Sequence, residues 1–158
     1  MDFKDISILH TNDMHSYMEN FPKKAQLITD IRASNEKRGI PTFVFDSGDL
    51  FSGNIFFNMY RGVKEIELMN RIGCQAMTLG NHEFDEGLGE FNRILLGKKP
   101  TKKYNSAEMA YPHQKSGIKL IVANVVRKST GKVPYGWKSY TIKTVKAGKK
   151  KAKVGFIG

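Results

Sequence analysis

The sequence predicts an α/β fold built as a sandwich, and three observations carry that expectation. Three strand–loop–helix units follow one another through residues 1–96, an alternation that implies parallel strands joined by right-handed crossovers. The second strand is apolar at consecutive positions, as a strand covered on both faces is. Each unit also leaves its strand through a polar loop long enough to carry functional side chains.

The elements follow in order. Ile6-Ser7-Ile8-Leu9-His10 reads as a short strand, with a polar loop from Thr11 to Asn20. Phe21, Ala25, Ile28 and Ile31 recur at helical spacing, with Pro22 suited to the first turn and Gly39-Ile40-Pro41 ending the helix. Thr42 to Phe45 is the second strand, and Asp46 to Asn54 its loop. Ile66, Met69 and Ile72 mark a helix stopped by Gly73. Ala76 to Leu79 is the third strand, followed by a loop from Gly80 and a helix with Leu88, Phe91 and Leu95. Residues 98–117 form a lysine-rich connection, in which His113 is expected at the surface. Ile118 to Val122 is a fourth strand; Tyr140 to Ile142 and Lys153 to Ile157 then pair as a hairpin around Lys146–Lys149.

At 158 residues the chain suits one domain and buries roughly 70% of its unfolded surface. With 40% apolar and 11% aromatic residues, it is neither a disordered tail, a collagen-like fibre nor a coiled coil. No run reaches the ~18 apolar residues of a membrane span. Met1 to Asp5 lacks the apolar stretch of a secretory signal. The lone cysteine, Cys74, reads as a buried structural thiol and not a nucleophile. Charge is uneven: residues 1–96 hold 10 Lys/Arg and 14 Asp/Glu, a balance of −4, whereas residues 97–158 hold 16 Lys/Arg and Glu108 alone, a balance of +15. Those lysines are scattered with few aromatics between them and match no nucleic-acid motif, so they read as a solvated surface and nucleic acid is not the expected partner.

The chemistry sits past the strand ends. The loops supply Asp13-Met14-His15, Ser47-Gly48-Asp49 and Gly80-Asn81-His82-Glu83, and ligands bind open α/β sheets in the crevice outside the carboxyl ends of the strands. A mixed oxygen and nitrogen donor set suits Mn, Zn or Fe better than Ca or Mg. Asp46 is expected to hydrogen-bond its own loop, Glu83 to support the site from behind, and His10 to be packed or to back the site.

These motifs carry a resemblance. Asp13-x-His15, Gly48-Asp49 and Gly80-Asn81-His82-Glu83, in this order and each after a strand, resemble the calcineurin-like metallophosphoesterases. Ile8 to Asp13 and Thr78 to Asp85 resemble the 5′-nucleotidase branch, as do Ala123-Asn124-Val125 and Lys153 to Gly158. The resemblance implies a β-sandwich flanked by helices and a site with two divalent cations, Mn, Zn or similar. It implies that Asp13 and His15 hold one cation, that Asp49 bridges both and that Asn81 holds the second. His82 then stabilises charge on the phosphate or protonates the leaving oxygen, with Asp85 orienting its ring. The implied reaction is hydrolysis of a nucleotide phosphate ester by a metal-activated water, without a covalent enzyme intermediate. Cations ~4 Å apart can clamp attacking and leaving oxygens, and an imidazole held by a carboxylate is a suitable acid for an alkoxide.

The same resemblance implies further ligands, a lone His and a Gly-His-x-His segment. They would follow a strand like Lys153–Ile157, whereas the histidines here are His10, His15, His82 and His113. Asp49 and Asn81 alone are too few to hold a second cation well. Because the chain stops one residue past an apolar strand, residues 1–158 read as the N-terminal part of a metallophosphoesterase domain, nearly inactive alone and missing the C-terminal part of its parent. Relatives of this branch are mostly secreted or surface-attached, which leaves localisation open. Two rival readings stay open: a cyclic-nucleotide or nucleotide-sugar phosphohydrolase, and a basic anion- or nucleic-acid-binding module with a vestigial metal site.

Overall fold

The structure, a computed structural model, describes residues 5–99, 115–134, 136–147 and 150–158. His113, most of the lysine-rich connection and the Gly148-Lys149 turn lie outside the described residues. Four strands, β1 (Ser7–Thr11), β2 (Thr42–Asp46), β3 (Ala76–Met77) and β4 (Lys119–Leu120), form one parallel sheet in the order β1-β2-β3-β4. Helix α1 (Phe21–Lys37) follows β1, and α2 (Ile55–Tyr60) and α3 (Val63–Arg71) follow β2. A single 3-10 turn (His82–Phe84) and α4 (Leu88–Leu95) follow β3. Strands β5 (Tyr140–Ala147) and β6 (Lys150–Ile157) make an antiparallel hairpin.

A sheet that advances one strand at a time by right-handed crossovers collects its helices on one face. Val44 points to that face and is fully buried, in a core with Phe21, Ile28, Met69 and Phe91. Its neighbours Phe43 and Phe45 project to the other face, because side chains alternate along a strand. Phe156 of β6 covers them there, with ring centroids 5.3 and 4.5 Å away. The layers are therefore helices, parallel sheet and antiparallel hairpin.

Four sequence expectations need correction. The second unit carries two helices instead of one, broken where Arg61 and Gly62 adopt left-handed backbone at φ 49 and 87. Strand β3 stops at Met77, short of the expected Leu79, and strand β4 is shorter than Ile118–Val122. Past Leu120, the Ile121 backbone pairs with Lys138, and the Ala123 N–H donates to the Gly158 carbonyl at 2.8 Å. His10 is exposed, neither packed nor behind the site: it shares with Ile8 and Phe45 the sheet face that no helix covers. Strand β5 alternates as a half-exposed strand does, with Thr141 and Val145 buried and Tyr140 and Ile142 exposed. Pairing sets this phase, since Thr141 lies opposite Phe156, and seating Phe156 on Phe43 and Phe45 turns Thr141 and Val145 inward.

Candidate metal centre

Because the four strands run the same way, the loops after β1, β2 and β3 leave along one edge of the sheet. The first two are zipped together. The N–H groups of Asp13, His15 and Ser16 donate to the carbonyls of Gly48, Asp49 and Leu50, each at 3.0 Å. That register places Asp13, His15, Ser16 and Asp49 at φ 50, 45, 57 and 53. Left-handed backbone costs a non-glycine residue of order 1–3 kcal/mol and persists only where its surroundings enforce it. Three of the four strained residues are the ones whose side chains the sequence marks as ligands.

Glu83 ties the third loop to the second. It is 1% exposed; its Oε2 accepts the N–H groups of Asp49 and Gly80 at 2.9 and 2.7 Å, and its Oε1 that of Leu50 at 2.9 Å. Two glycines let the loops touch. A Cβ on Gly80 would lie 2.0 Å from Asp49 Oδ1, and one on Gly48 would lie 2.2 Å from the Gly80 nitrogen. Asp46, at the end of β2, accepts from the Thr11 hydroxyl and from the Gly48 N–H at 2.9 Å. Burial pushes its carboxyl up to about 6 against those two hydrogen bonds. Cys74 is buried and its thiol is pushed up to about 12 by burial, which agrees with a structural role.

One side-chain atom from each of Asp13, His15 and Asp49 lies within 4.8 Å of the other two. His15 Nε2 is 3.6 Å from Asp13 Oδ1, and Asp49 Oδ1 accepts the His82 N–H at 3.0 Å. The His82 ring stands edge-on to that of His15, centroids 4.9 Å apart. On its far side His82 Nδ1 is 2.7 Å from Asp85 Oδ2, and this hydrogen bond holds the imidazole above its ordinary pKa. Asn81 is exposed between Gly80 and His82. Among the described residues, no lysine or arginine forms an ion pair with Asp13, Asp49 or Asp85. Two carboxylates and an imidazole converging with no basic side chain between them fit a divalent cation of the Mn, Zn or Fe kind.

The structure thus brings Asp13, His15, Asp49, His82 and Asp85 to one rim and sets Asn81 in the same loop. Sequence reasoning missed what stands behind them: Ser16, its partner Glu65, and the span of Glu83 across two loops. One signal was present. Glu65 lies at i, i+4, i+7 spacing with Met69 and Ile72, a carboxyl on an apolar helix face.

Comparison with known proteins places the chain in a family. The calcineurin-like phosphoesterase family matches residues 6–149. The trifunctional nucleotide phosphoesterase YfkN of Bacillus subtilis is 30% identical over 112 residues, which are 68% of this chain and 7% of that protein. The 5′-nucleotidase of Mus musculus is 34% identical over 134 residues, 73% of this chain and 23% of its own length. The solved 5′-nucleotidase precursor of Thermus thermophilus superposes with a TM-score of 0.71 at 27% identity, covering 97% of this chain and 28% of that one. The chain therefore spans less than a quarter of the length of these curated relatives. With a match that runs from the first strand into the hairpin and takes in all three rim loops, this chain belongs to the calcineurin-like phosphoesterases.

Proposed function

We propose that this chain carries most of the catalytic face of a metal-dependent phosphoesterase of the 5′-nucleotidase type, acting on nucleotide phosphate esters. The convergence of Asp13, His15 and Asp49 within 4.8 Å, beside the His82–Asp85 pair, supports this reading. Asp13 and His15 would hold one divalent cation, Asp49 would serve both that cation and a second, and Asn81 would be a ligand of the second. Bound cations of this kind neutralise the phosphoryl oxygens and acidify the attacking water.

The chain's own residues do the rest. His82, half-buried at the rim and held above its ordinary pKa by the Asp85 hydrogen bond, is the group placed to donate a proton to the departing alkoxide. Asp85 fixes the tautomer and plane of that ring. Glu83 and the two glycines hold Asp49 at the crossing of the loops. Among the described residues Asp49 and Asn81 would be the only ligands of a second cation, so it would bind weakly and residues 1–158 alone are expected to turn over slowly.

The test is phosphate release from nucleoside monophosphates, cyclic nucleotides and nucleotide-sugars with Mn²⁺ present, for wild type, His82→Asn and Asp49→Ala. Preference for the monophosphates, with a large loss in both variants, supports the reading. Preference for cyclic nucleotides or nucleotide-sugars moves the substrate assignment. Release that neither substitution changes overturns the catalytic roles. Rapid turnover by residues 1–158 alone refutes the weak second site.

A further inference from the structure

We infer that Glu65 of α3 is a positioning residue for His15, holding the Asp13–Ser16 loop in its strained conformation through the Ser16 hydroxyl. The inference rests on the metal-centre reading proposed above, and deepens it. Glu65 and Ser16 are both fully buried, and the Ser16 hydroxyl donates to Glu65 Oε1 at 2.6 Å. The remaining polar atoms of Ser16 are held as well. Its N–H donates to the Leu50 carbonyl at 3.0 Å, and its carbonyl accepts the Asn54 side-chain amide at 2.8 Å. From the other side the chain closes on His15 itself: a Cβ on Gly53 would lie 2.8 Å from the His15 carbonyl oxygen and 2.9 Å from its Cβ.

Ser16 and His15 sit at φ 57 and 45, where a non-glycine residue does not rest unless it is held. Three hydrogen bonds on one residue hold it, and the direction of the neighbouring His15 side chain follows. A buried carboxyl is an expensive anchor. Burial pushes Glu65 above its ordinary value, against the Ser16 hydrogen bond and the N–H groups at the start of α3, and an apolar residue there would pack with Ile66 and Met69 at less cost. A carboxyl in that place serves the loop more than the stability of the helix. A role confined to the start of α3 would predict something different, a loss of stability with His15 unmoved.

The test uses Glu65→Leu, Glu65→Gln and Ser16→Ala, with two readouts. The first is NMR of the His15 ring in metal-free protein, including its ring contact with His82. The second is the affinity for Mn²⁺ alone by calorimetry. Glu65→Leu and Ser16→Ala are expected to shift the His15 resonances, weaken the His15–His82 contact and lower Mn²⁺ affinity by about tenfold. Glu65→Gln keeps an acceptor for the hydroxyl and is expected to retain the wild-type His15 spectrum. Should Glu65→Leu fail to fold, Ser16→Ala carries the test, since it removes one oxygen and little volume. Unmoved His15 resonances in folded Ser16→Ala, or a Gln variant that behaves as Leu, overturn the inference. If Asp49→Ala leaves Mn²⁺ binding unchanged, the metal-centre reading fails by itself, while the metal-free spectra still decide the role of Glu65.

Discussion

Replacing Glu83 is expected to loosen two loops at once. Its carboxylate takes three backbone N–H groups, from Asp49, Leu50 and Gly80, at 2.7 to 2.9 Å and is almost wholly buried. Hydrogen bonds to a charged group contribute about 1.5–3 kcal/mol each, and a buried donor left unpaired costs about 1–3 kcal/mol. Three such donors share one acceptor, so their losses do not simply add; Glu83→Ala should cost about 4–8 kcal/mol, a large part of the 5–15 kcal/mol that holds a typical domain. Glu83→Gln can place its oxygen where Oε2 stands and keep two of the three bonds, but its amide then faces the Leu50 N–H donor to donor. That arrangement should cost about 2–4 kcal/mol. Asp85→Asn, at the exposed rim, is the control and should stay within about 0.5 kcal/mol. Urea unfolding in metal-free buffer reads all three. A Gln variant as stable as Asp85→Asn would refute the reasoning, because it would mean that the Leu50 N–H finds water or another partner at no cost.

Further expectations follow from the same geometry. The Asp46 carboxyl rises from 3.8 to about 6 on folding, so the folded state keeps a proton that the unfolded chain has released. The stability linked to this group is full below pH ~4 and lost as pH rises through about 6, by up to about 3 kcal/mol. Asp46→Asn should therefore gain on wild type between pH 4 and 7 in chelator-treated samples; a constant difference across that window would contradict the burial argument. Asp85→Asn should lower the titration midpoint of His82 toward its ordinary value, because the Asp85 hydrogen bond is the main cause of the rise; a midpoint that stays put in metal-free NMR would contradict it. Gly80→Ala must displace the Asp49 carboxylate, which lies 2.0 Å from the new Cβ. Its Mn²⁺ affinity should fall about ten- to a hundredfold, and a wild-type isotherm would show that Asp49 does not need that contact.

The parallel sheet, its helices and the rim loops were legible because each rests on local, periodic or ordered signals. Apolar runs mark β2 and β3, helical stripes mark α1, α3 and α4, and three motif-bearing loops follow three strands. Legibility stopped where the determinant was long-range. The face that leaves His10 exposed depends on all the crossovers going to the other side, which no local window contains. The inward phase of Thr141 depends on Phe156 finding Phe43 and Phe45 far away in the chain. Ser16 meets Glu65 across 49 positions, and Glu83 meets Leu50 across 33, contacts that only the closed fold creates. The helix break at Arg61–Gly62 had a local signal in Gly62, but the strong stripe from Ile66 onward masked it.

Mn²⁺ calorimetry on wild type beside Asp49→Ala bears on whether the three loops form a cation site. One site of modest affinity, a second that barely fills, and the loss of both when Asp49 is removed are the expected isotherms. Absence of binding in wild type, or an isotherm that the substitution leaves unchanged, would mean that Asp13, His15 and Asp49 meet for some reason other than holding a metal.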